Sequence, residues 1–351
     1  MDYINYVKQA PVQGLTGLWG GTQGALIAGS SGVPFVTGGD RGMWGGGNPD
    51  EMPGPGSKSD DGGFKVIDYV NITSTGDASD FGRLTTKTFD AAAVSNQSRG
   101  VWIGGGTIGG PTVQDVMQYV TISSTGNATD FGNAITDIYS RAGCSDGSEG
   151  NRGLYWGGYT GPSGGNGNVI GYINISSTGN ASDFGDTLTN TGGGCAFADN
   201  TRGCYNGTAN GWDDSNVIQY VTIQTTGNAT DFGDMVESIR NRAGGADSTR
   251  GVAACGDGPT NAIDYVTIQT LGNASDFGNS QISTTGRGGC SNETRTCFAG
   301  GEDTRGIGGN PPQVGYRVID YITTQTTGNG TNFGDLIIGR RQTPQGLAGN
   351  T

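Results

Sequence analysis

Asp130, Phe131 and Gly132 form a tripeptide whose carboxylate can hold a magnesium ion in phosphoryl transfer. That chemistry also requires a loop over the phosphates, a lysine on a strand and a catalytic loop of the His-Arg-Asp type. The chain contains no histidine, and the tripeptide recurs along it, whereas a phosphoryl-transfer site uses it once. We therefore expect no phosphoryl transfer, and the recurrence needs another explanation.

The absence of histidine removes further chemistries. The sequence cannot supply a Ser-His-Asp triad or a histidine-rich metal site. Paired carboxylates would still suffice to hydrolyse a glycan, so this reaction remains an alternative. We expect a protein that is not an enzyme and carries no cofactor.

The tripeptide ends an eight-residue segment, TGNATDFG at residues 125–132, and near-copies of this segment recur. In each copy a tyrosine lies twelve residues before the phenylalanine. The pairs are Tyr69 and Phe81, Tyr119 and Phe131, Tyr172 and Phe184, Tyr220 and Phe232, Tyr265 and Phe277, and Tyr321 and Phe333. Successive phenylalanines are 50, 53, 48, 45 and 56 residues apart, a period that indicates one supersecondary unit per repeat.

The second unit predicts four short strands, a to d. They are AAAVSNQ, VWIGGG, VMQYVTIS and the segment around TDFG, with turns between them. In the fifth unit, strand c has apolar groups on both faces, at Ile263, Tyr265, Val266 and Ile268. A strand buried on both sides is required of a sheet that packs between two others. The pattern predicts an all-β propeller of four-stranded antiparallel blades with very little helix.

The length alone would allow two or three domains, but the repeat leaves no room for a second one and predicts one domain over residues 1–351. The repeats span about 34–82, 83–132, 133–185, 186–233, 234–278 and 279–334. The remaining residues 1–33 and 335–351 together amount to one more repeat. We therefore predict seven blades, the last closed by both termini, which would hide the open strand edges. The alternative is six blades with terminal arms.

Within the segment, Gly and Asn are expected to form the turn and Phe to return to the apolar layer as strand d. The repeated aspartates are predicted to pair with the arginines before strand b, on the face that the a–b and c–d turns share. The aspartates are Asp80, Asp130, Asp183, Asp231 and Asp276, and the arginines are Arg41, Arg99, Arg152, Arg202, Arg250 and Arg295. Asn127, Asn180, Asn228, Asn273 and Asn329 match the glycosylation pattern but are interpreted as turn residues.

Composition limits the partners. A net charge of −13 and a pI near 4.3 oppose binding to nucleic acid. The sequence has no long apolar stretch and no signal peptide, so we expect a soluble protein made in a cytoplasm and not inserted in a membrane. The six cysteines follow the repeat and are interpreted as small buried residues, with Cys290 and Cys297 close enough to pair in an oxidising medium.

The units resemble Kelch-type propeller repeats, which carry a glycine pair at the end of strand b. Here the glycines are Gly45 and Gly46, Gly104 and Gly105, Gly157 and Gly158, and Gly300 and Gly301. The aromatic pair departs from Kelch, because Tyr and Phe lie twelve apart. IDYVTI, TTGNATDFG and TRG before a glycine run are similar to a repeat of virion proteins from marine bacteriophages, particularly cyanophages. The resemblance implies localisation in the virion and contact with other virion proteins.

The b–c loops differ strongly between units and are therefore the expected recognition elements. Trp212, Asp213, Asp214, Asp60 and Asp61 are the candidate ligand-binding residues. Their aromatic and carboxylate groups suit a sugar, and an acidic pair would also suit calcium. The expected function is adhesion to a host glycan or receptor, tail- or fibre-associated. The alternatives are a passive structural or decoration component of the virion and, more remotely, a Kelch-like adaptor or a glycan hydrolase. The protein is also expected to be able to form a homo-oligomer.

Overall fold

The computed structural model describes residues 39–49, 65–107, 113–137, 139, 142–147, 150–159, 166–209, 213–258, 260–302, 315–341 and 346–349. All of them lie in one compact unit, Val36–Thr351. Within these residues the regular elements are strands, and no helix long and apolar enough to cross a membrane occurs among them.

The strands are short and follow one another through tight turns. In chain order they are β1 (Arg41–Gly45), β2 (Asn48–Pro49), β3 (Val66–Asn71), β4 (Ser79–Arg83), β5 (Ala92–Ser95), β6 (Arg99–Ile103), β7 (Val116–Thr121), β8 (Thr129–Asn133), β9 (Ala142–Ser145), β10 (Arg152–Tyr159), β11 (Asn166–Asn174), β12 (Ser182–Asp186), β13 (Cys195–Ala198), β14 (Arg202–Asn206), β15 (Val217–Thr222), β16 (Thr230–Asp234), β17 (Ala243–Ala246), β18 (Arg250–Ala254), β19 (Ala262–Thr267), β20 (Ser275–Asn279), β21 (Gly288–Ser291), β22 (Arg295–Ala299), β23 (Tyr316–Thr323), β24 (Thr331–Arg341) and β25 (Leu347–Gly349).

These strands form six antiparallel sheets, the blades. Blade 1 has the order β25-β1-β3-β4. Blades 2 to 5 are β5-β6-β7-β8, β9-β10-β11-β12, β13-β14-β15-β16 and β17-β18-β19-β20. Blade 6 is β21-β22-β23-β24, extended by the two-residue strand β2. The predicted propeller of four-stranded antiparallel blades is confirmed.

The prediction of seven blades is wrong, because six blades close the ring. The first strands of the blades contact one another in a cycle, from β5 through β9, β13, β17, β21 and β25 back to β5. The C-terminal strand β25 supplies the innermost strand of blade 1, with Leu347 opposite Met43, instead of contributing to a further blade. Residues 1–33, assigned by the prediction to the closing blade, lie outside the described residues.

The apolar core lies between adjacent blades. One cluster joins Leu154 and Trp156 of blade 3 to Tyr205 and Val221 of blade 4. The phenylalanine of every repeat is buried, as predicted, with at most 3% of its surface exposed: Phe81, Phe131, Phe184, Phe232, Phe277 and Phe333. Each blade therefore stabilises its neighbours through both faces, and a single isolated blade would leave both faces without a partner.

The recurring TGN turn attaches each blade to the preceding one. At the junction of blades 3 and 4, the Gly227 amide donates to the Phe184 carbonyl at 2.8 Å and the Ala229 amide donates to the Asp186 carbonyl at 2.8 Å. The Asn228 side-chain Oδ1 accepts from the Asp186 amide at 3.0 Å. The equivalent backbone bonds occur at all six junctions, including that of blade 6 with blade 1. This inter-blade attachment explains the repetition of the segment.

The glycine after each phenylalanine is required by the same attachment. Gly185 has φ of +149°, and a β-carbon there would overlap the Gly227 carbonyl of the next blade. Strand d also has a bulge here, because Ile170 pairs with Gly185 and Gly171 pairs with Asp183, leaving Phe184 as the extra residue. The bulge turns the phenylalanine ring into the core.

The predicted pairing of the repeated aspartates with the repeated arginines is wrong. Arg152 instead donates to the Ile223 carbonyl of the next blade at 3.0 Å, and its guanidinium lies 4.7 Å from the centre of the Tyr172 ring. Tyr172 in turn packs edge-on against Phe184, with ring centres 6.1 Å apart. The aspartates are exposed, because the bulge that turns Phe inward turns the preceding side chain outward. The arginines therefore connect blades through carbonyl groups and aromatic rings.

Candidate functional site

The blade connections form two different faces. The a–b and c–d turns lie together on one face, where the Ile122 amide donates to the Ser98 carbonyl at 2.8 Å. The d–a linkers and b–c segments lie together on the other, where Phe89 pairs with Gly106 and Thr285 with Glu302. We call this second side the loop face. It carries the segments that differ most between repeats.

The structure describes two of the five predicted ligand-binding residues. Asp213 and Asp214 lie on the loop face and are exposed, and Asp213 forms a β-bridge with Ala209. The Asp214 carboxylate Oδ1 lies 3.4 Å from Arg240 Nη1. Trp212, Asp60 and Asp61 lie outside the described residues. The structure therefore brings Asp214 next to a cationic group that the sequence analysis did not consider.

Arg240 belongs to a polar network that connects three elements of the loop face. Its Nε donates to Asp257 Oδ2 at 2.8 Å, and Asn241 Nδ2 donates to Asp257 Oδ1 at 3.0 Å. The Thr285 hydroxyl donates to the same carboxylate. Arg240 and Asn241 come from the linker between blades 4 and 5, Asp257 from the b–c segment of blade 5, and Thr285 from the linker between blades 5 and 6. The network holds adjacent linkers together.

Asp90, in the linker between blades 1 and 2, has an unusual environment. Its backbone is left-handed, with φ of 49°. Burial raises the pKa of its carboxyl to about 8, and the nearby carboxylates of Glu302 and Asp257 raise the pKa further in the same direction. Asp90 is consequently protonated at neutral pH, and its carboxyl can donate a hydrogen bond as well as accept one.

Aromatic rings extend across the loop face beside Asp90. The ring centres of Phe89 and Tyr139 are 6.2 Å apart, and those of Tyr139 and Tyr159 are 5.6 Å apart. Burial raises the pKa of Tyr159 to about 12, so its hydroxyl, 3.5 Å from the Thr208 hydroxyl, stays protonated. The face thus combines aromatic surface with hydroxyl and carboxyl groups, the combination that recognises polar ligands.

The described residues offer little reactive chemistry. No group of three or more Cys, Asp or Glu that could hold a metal ion occurs among them. All six cysteines are free and buried, as predicted for small core residues. Cys290 lies opposite Cys297 without a disulfide, and burial raises its thiol pKa. A raised thiol pKa opposes nucleophilic use of Cys290.

The sequence analysis missed the buried side chains that accept hydrogen bonds from the backbone of the d–a linkers and so hold these linkers in place. On strand c, Gln118 Oε1 accepts from the Thr85 amide at 2.6 Å and Gln219 Oε1 accepts from the Leu188 amide at 2.8 Å. In blade 3 this position is Gly171, and the Tyr155 hydroxyl replaces the missing side chain by accepting from the Ile135 amide at 3.0 Å. A polar residue before the repeated tyrosine, as in MQYV and IQYV, is the signal in the sequence.

Three blades have an aspartate at this position, and each aspartate forms a buried ion pair. Arg242 lies 2.9 Å from Asp264, Arg287 lies 2.6 Å from Asp320, and Arg340 pairs with Asp68. These three are the consecutive blades 5, 6 and 1. Blades 5, 6 and 1 therefore have buried ion pairs at this position, whereas blades 2, 3 and 4 have uncharged hydrogen-bond acceptors.

Six four-stranded antiparallel blades in a closed ring define a β-propeller. No protein-family model matches the chain, and no curated protein matches it significantly. Function must therefore be argued from the loop face itself.

Proposed function

We propose that the protein is a non-enzymatic binding module that recognises its ligand through the loop face. The observation that carries the proposal is the contrast between the two faces. In the a–b and c–d turns, opposite the loop face, repeated residues such as Asn228 and Arg152 are engaged in bonds between blades. On the loop face, residues that do not repeat, including Asp90, Tyr139 and Arg240, lie together. Variable side chains on a rigid ring are suited to recognition.

We propose further that the module is a bacteriophage virion protein, tail- or fibre-associated, which contacts a glycan or receptor of the host surface. This rests on the similarity of its repeat to virion proteins of marine phages. The acidic net charge of −13 supports a ligand other than nucleic acid. Phenol, amide and carboxyl groups of the loop face would hydrogen-bond sugar hydroxyls, and the aromatic rings would contact the apolar sides of the sugar.

A passive structural role in the virion is the second candidate. It is favoured by exposed aliphatic side chains at equivalent linker positions of three consecutive junctions, Ile135, Leu188 and Val236. Aliphatic groups spaced in this way along one arc suit contact with another protein. In this role the neighbouring virion protein, and not the host, would be the ligand.

Labelled full-length protein, incubated with cyanobacterial host cells and with a glycan array, tests the proposal. We expect saturable binding that Trp212→Ala and the double substitution Asp213→Asn, Asp214→Asn abolish. Asp183→Asn, an exposed carboxylate on strand d, is the matched control and should bind like the unchanged protein. Absence of binding by the intact protein, with immunogold label on the capsid, would leave the structural role.

A further inference from the structure

The sixth copy of the repeated segment departs from the other five. It reads TGNGTNFG at residues 327–334. Gly330 replaces an alanine found at Ala78, Ala128, Ala181, Ala229 and Ala274. Asn332 replaces the aspartate of Asp80, Asp130, Asp183, Asp231 and Asp276. Both changes lie on blade 6 where it meets blade 5, because Gly330 donates its amide to the Asn279 carbonyl of blade 5 at 2.7 Å.

The facing linker, between blades 5 and 6, departs at the same junction. Gln281 occupies the position that is Thr85, Ile135, Leu188, Val236 and Ile337 at the other junctions. Ser280 precedes it, where the other linkers have Leu84, Ala134, Thr187, Met235 and Leu336. The four departures from the repeat form two pairs about 50 residues apart in the chain, and the two pairs lie together in space.

All four residues line one open groove, which we call the blade 5–6 groove. Its volume is about 520 Å³, within the usual range for small-ligand sites. Asn261, Asn279 and Asn329 complete its polar lining, and Ile282 and Val318 supply its apolar part. None of the described lining residues carries a charge, in a protein whose net charge is −13. At Asn332 this neutrality exists because the repeat's aspartate has been replaced.

The amides of the groove are available to a ligand. Asn279, Gln281 and Asn332 are exposed, and their side chains form no hydrogen bond with the described residues. Each amide offers two donor hydrogens and an acceptor oxygen. Three such groups in one groove match the adjacent hydroxyls of a sugar, each of which both donates and accepts.

The backbone that carries these amides is held rigidly. The Gln281 amide donates to Asp320 Oδ2 at 3.0 Å, and the Ser280 hydroxyl donates to the same oxygen at 2.6 Å. Asp320 is buried and paired with Arg287 at 2.6 Å. The Ser280 hydroxyl therefore adds a bond to the strand-c carboxylate that the alanine, leucine and methionine of other linkers cannot make. A fixed linker reduces the entropy lost when a ligand binds.

We propose that the blade 5–6 groove binds a neutral saccharide unit. Exposed amides bind its hydroxyl groups, and Ile282 and Val318 contact its C–H surfaces. Sulfated and sialylated glycans are disfavoured, because no cationic residue occurs among the described residues of the groove and the protein as a whole is acidic. The groove reaches the end of the b–c segment of blade 5 through Asn261, but its exposed amides Asn279, Gln281 and Asn332 lie outside the b–c loops. The proposal therefore does not depend on Trp212, Asp213 or Asp214.

The test replaces two residues of the groove with the residues that other junctions have at the equivalent positions, so the fold is expected to accept both changes. Asn332→Asp combined with Gln281→Val gives the junction the residues found at Asp276 and Val236. The matched control is Asp276→Asn, the opposite exchange at the equivalent site of blade 5. The three proteins are applied to an array of neutral, sulfated and sialylated glycans. Affinity for the best neutral glycan is then measured by calorimetry, with circular dichroism confirming the fold.

We expect the unchanged protein and Asp276→Asn to bind neutral glycans equally. The double variant should bind at least about tenfold more weakly, the equivalent of about 1.4 kcal/mol. The proposal is overturned if the intact protein binds no neutral glycan, if it prefers anionic glycans, or if the double variant retains its affinity. Binding lost in Trp212→Ala but retained in the double variant would support the loop-face function and exclude the groove.

Discussion

Asp90 and Asn241 occupy the same position in two different linkers, two residues before strand a. Both have left-handed backbones, with φ of 49° and 57°, and the same position is Gly193 and Gly286 in two other linkers. Asn241 uses its side chain to bind Asp257, whereas Asp90 is surrounded by carboxylates. The position therefore tolerates an amide, and the carboxyl of Asp90 costs stability when it ionises.

Replacement of Asp90 by Asn should stabilise the protein at pH 8 and have little effect at pH 4. The folded-state pKa of about 8 lies above the ordinary value of 3.8, so folding favours the protonated form. As pH rises from about 4 to 8, the Asp90 carboxyl ionises in the unfolded chain but stays protonated in the folded chain. The free energy of unfolding therefore falls over this pH range. Asn cannot ionise and avoids this loss.

Thermal melting of both proteins across pH 4–8 measures this effect. The difference in Tm should grow as pH rises, and Asn should tolerate the positive φ as it does at position 241. Asp183→Asn, at an exposed aspartate, should show no such growth. A constant Tm difference at all pH values would contradict the raised pKa of Asp90.

The role of a residue was predictable from the sequence where its repetition and its polarity both indicated the same environment, either the core or the solvent. The burial of the six phenylalanines was predicted, because an apolar residue repeated after a turn belongs to the core. The aspartate–arginine pairing was wrong, because a bulge reverses the direction of the side chain before Phe184. The buried role of Asp264 and its counterparts was also missed, since a polar residue in a strand is ordinarily assigned to the solvent face.

Among the elements, the c–d turn connects blades by backbone bonds and by the asparagine side chain. Gly185 and Gly227 lie on opposite sides of one such connection. A β-carbon at Gly185 would overlap the Gly227 carbonyl, whereas a β-carbon at Gly227 would have no atom within 4 Å. The two glycines therefore provide a matched pair of substitutions.

Gly185→Ala should lower the free energy of unfolding markedly, and Gly227→Ala should change it little. The first substitution forces a left-handed alanine at φ of +149° and separates blades 3 and 4. Urea unfolding followed by tryptophan fluorescence measures both. Equal midpoints for the two variants would show that the close approach of the blades is not needed for stability.

Phe184→Ala tests the apolar side of the same connection. The ring is 2% exposed and packs against Tyr172, so its loss should cost about 3–5 kcal/mol. Urea unfolding again gives the value. A loss well below 1 kcal/mol would mean that strand d contributes little to the packing between blades.

At the scale of the whole molecule, the ring is closed by β25. Leu347 is buried against Met43 and Trp102, and its strand pairs with β1 from Arg41 to Met43. The sequence analysis predicted a seventh blade built from residues 1–33 and 335–351, whereas β25 completes blade 1. A three-residue strand such as Leu347–Gly349 has too little periodicity to be counted, so leftover length was mistaken for a seventh unit.

Removal of residues 346–351 should open the ring between blades 6 and 1 and lower the Tm sharply. Blade 1 would lose its innermost strand, and the edge of β1 would be exposed. Removal of residues 350–351 alone, which leaves β25 intact, is the control. Calorimetry and size-exclusion chromatography measure both truncations, and identical Tm values for them would contradict closure by β25.

This closure also sets an order for folding during translation. The ribosome makes β1, β3 and β4 first, but it makes the strand that completes their blade only after the other five blades. The nascent first blade therefore has three strands and an unpaired edge at Arg41–Gly45 throughout elongation. During that interval the edge of one chain is open to the β25 segment of another on the same messenger, so we expect domain-swapped rings to be the misfolded product of crowded polysomes.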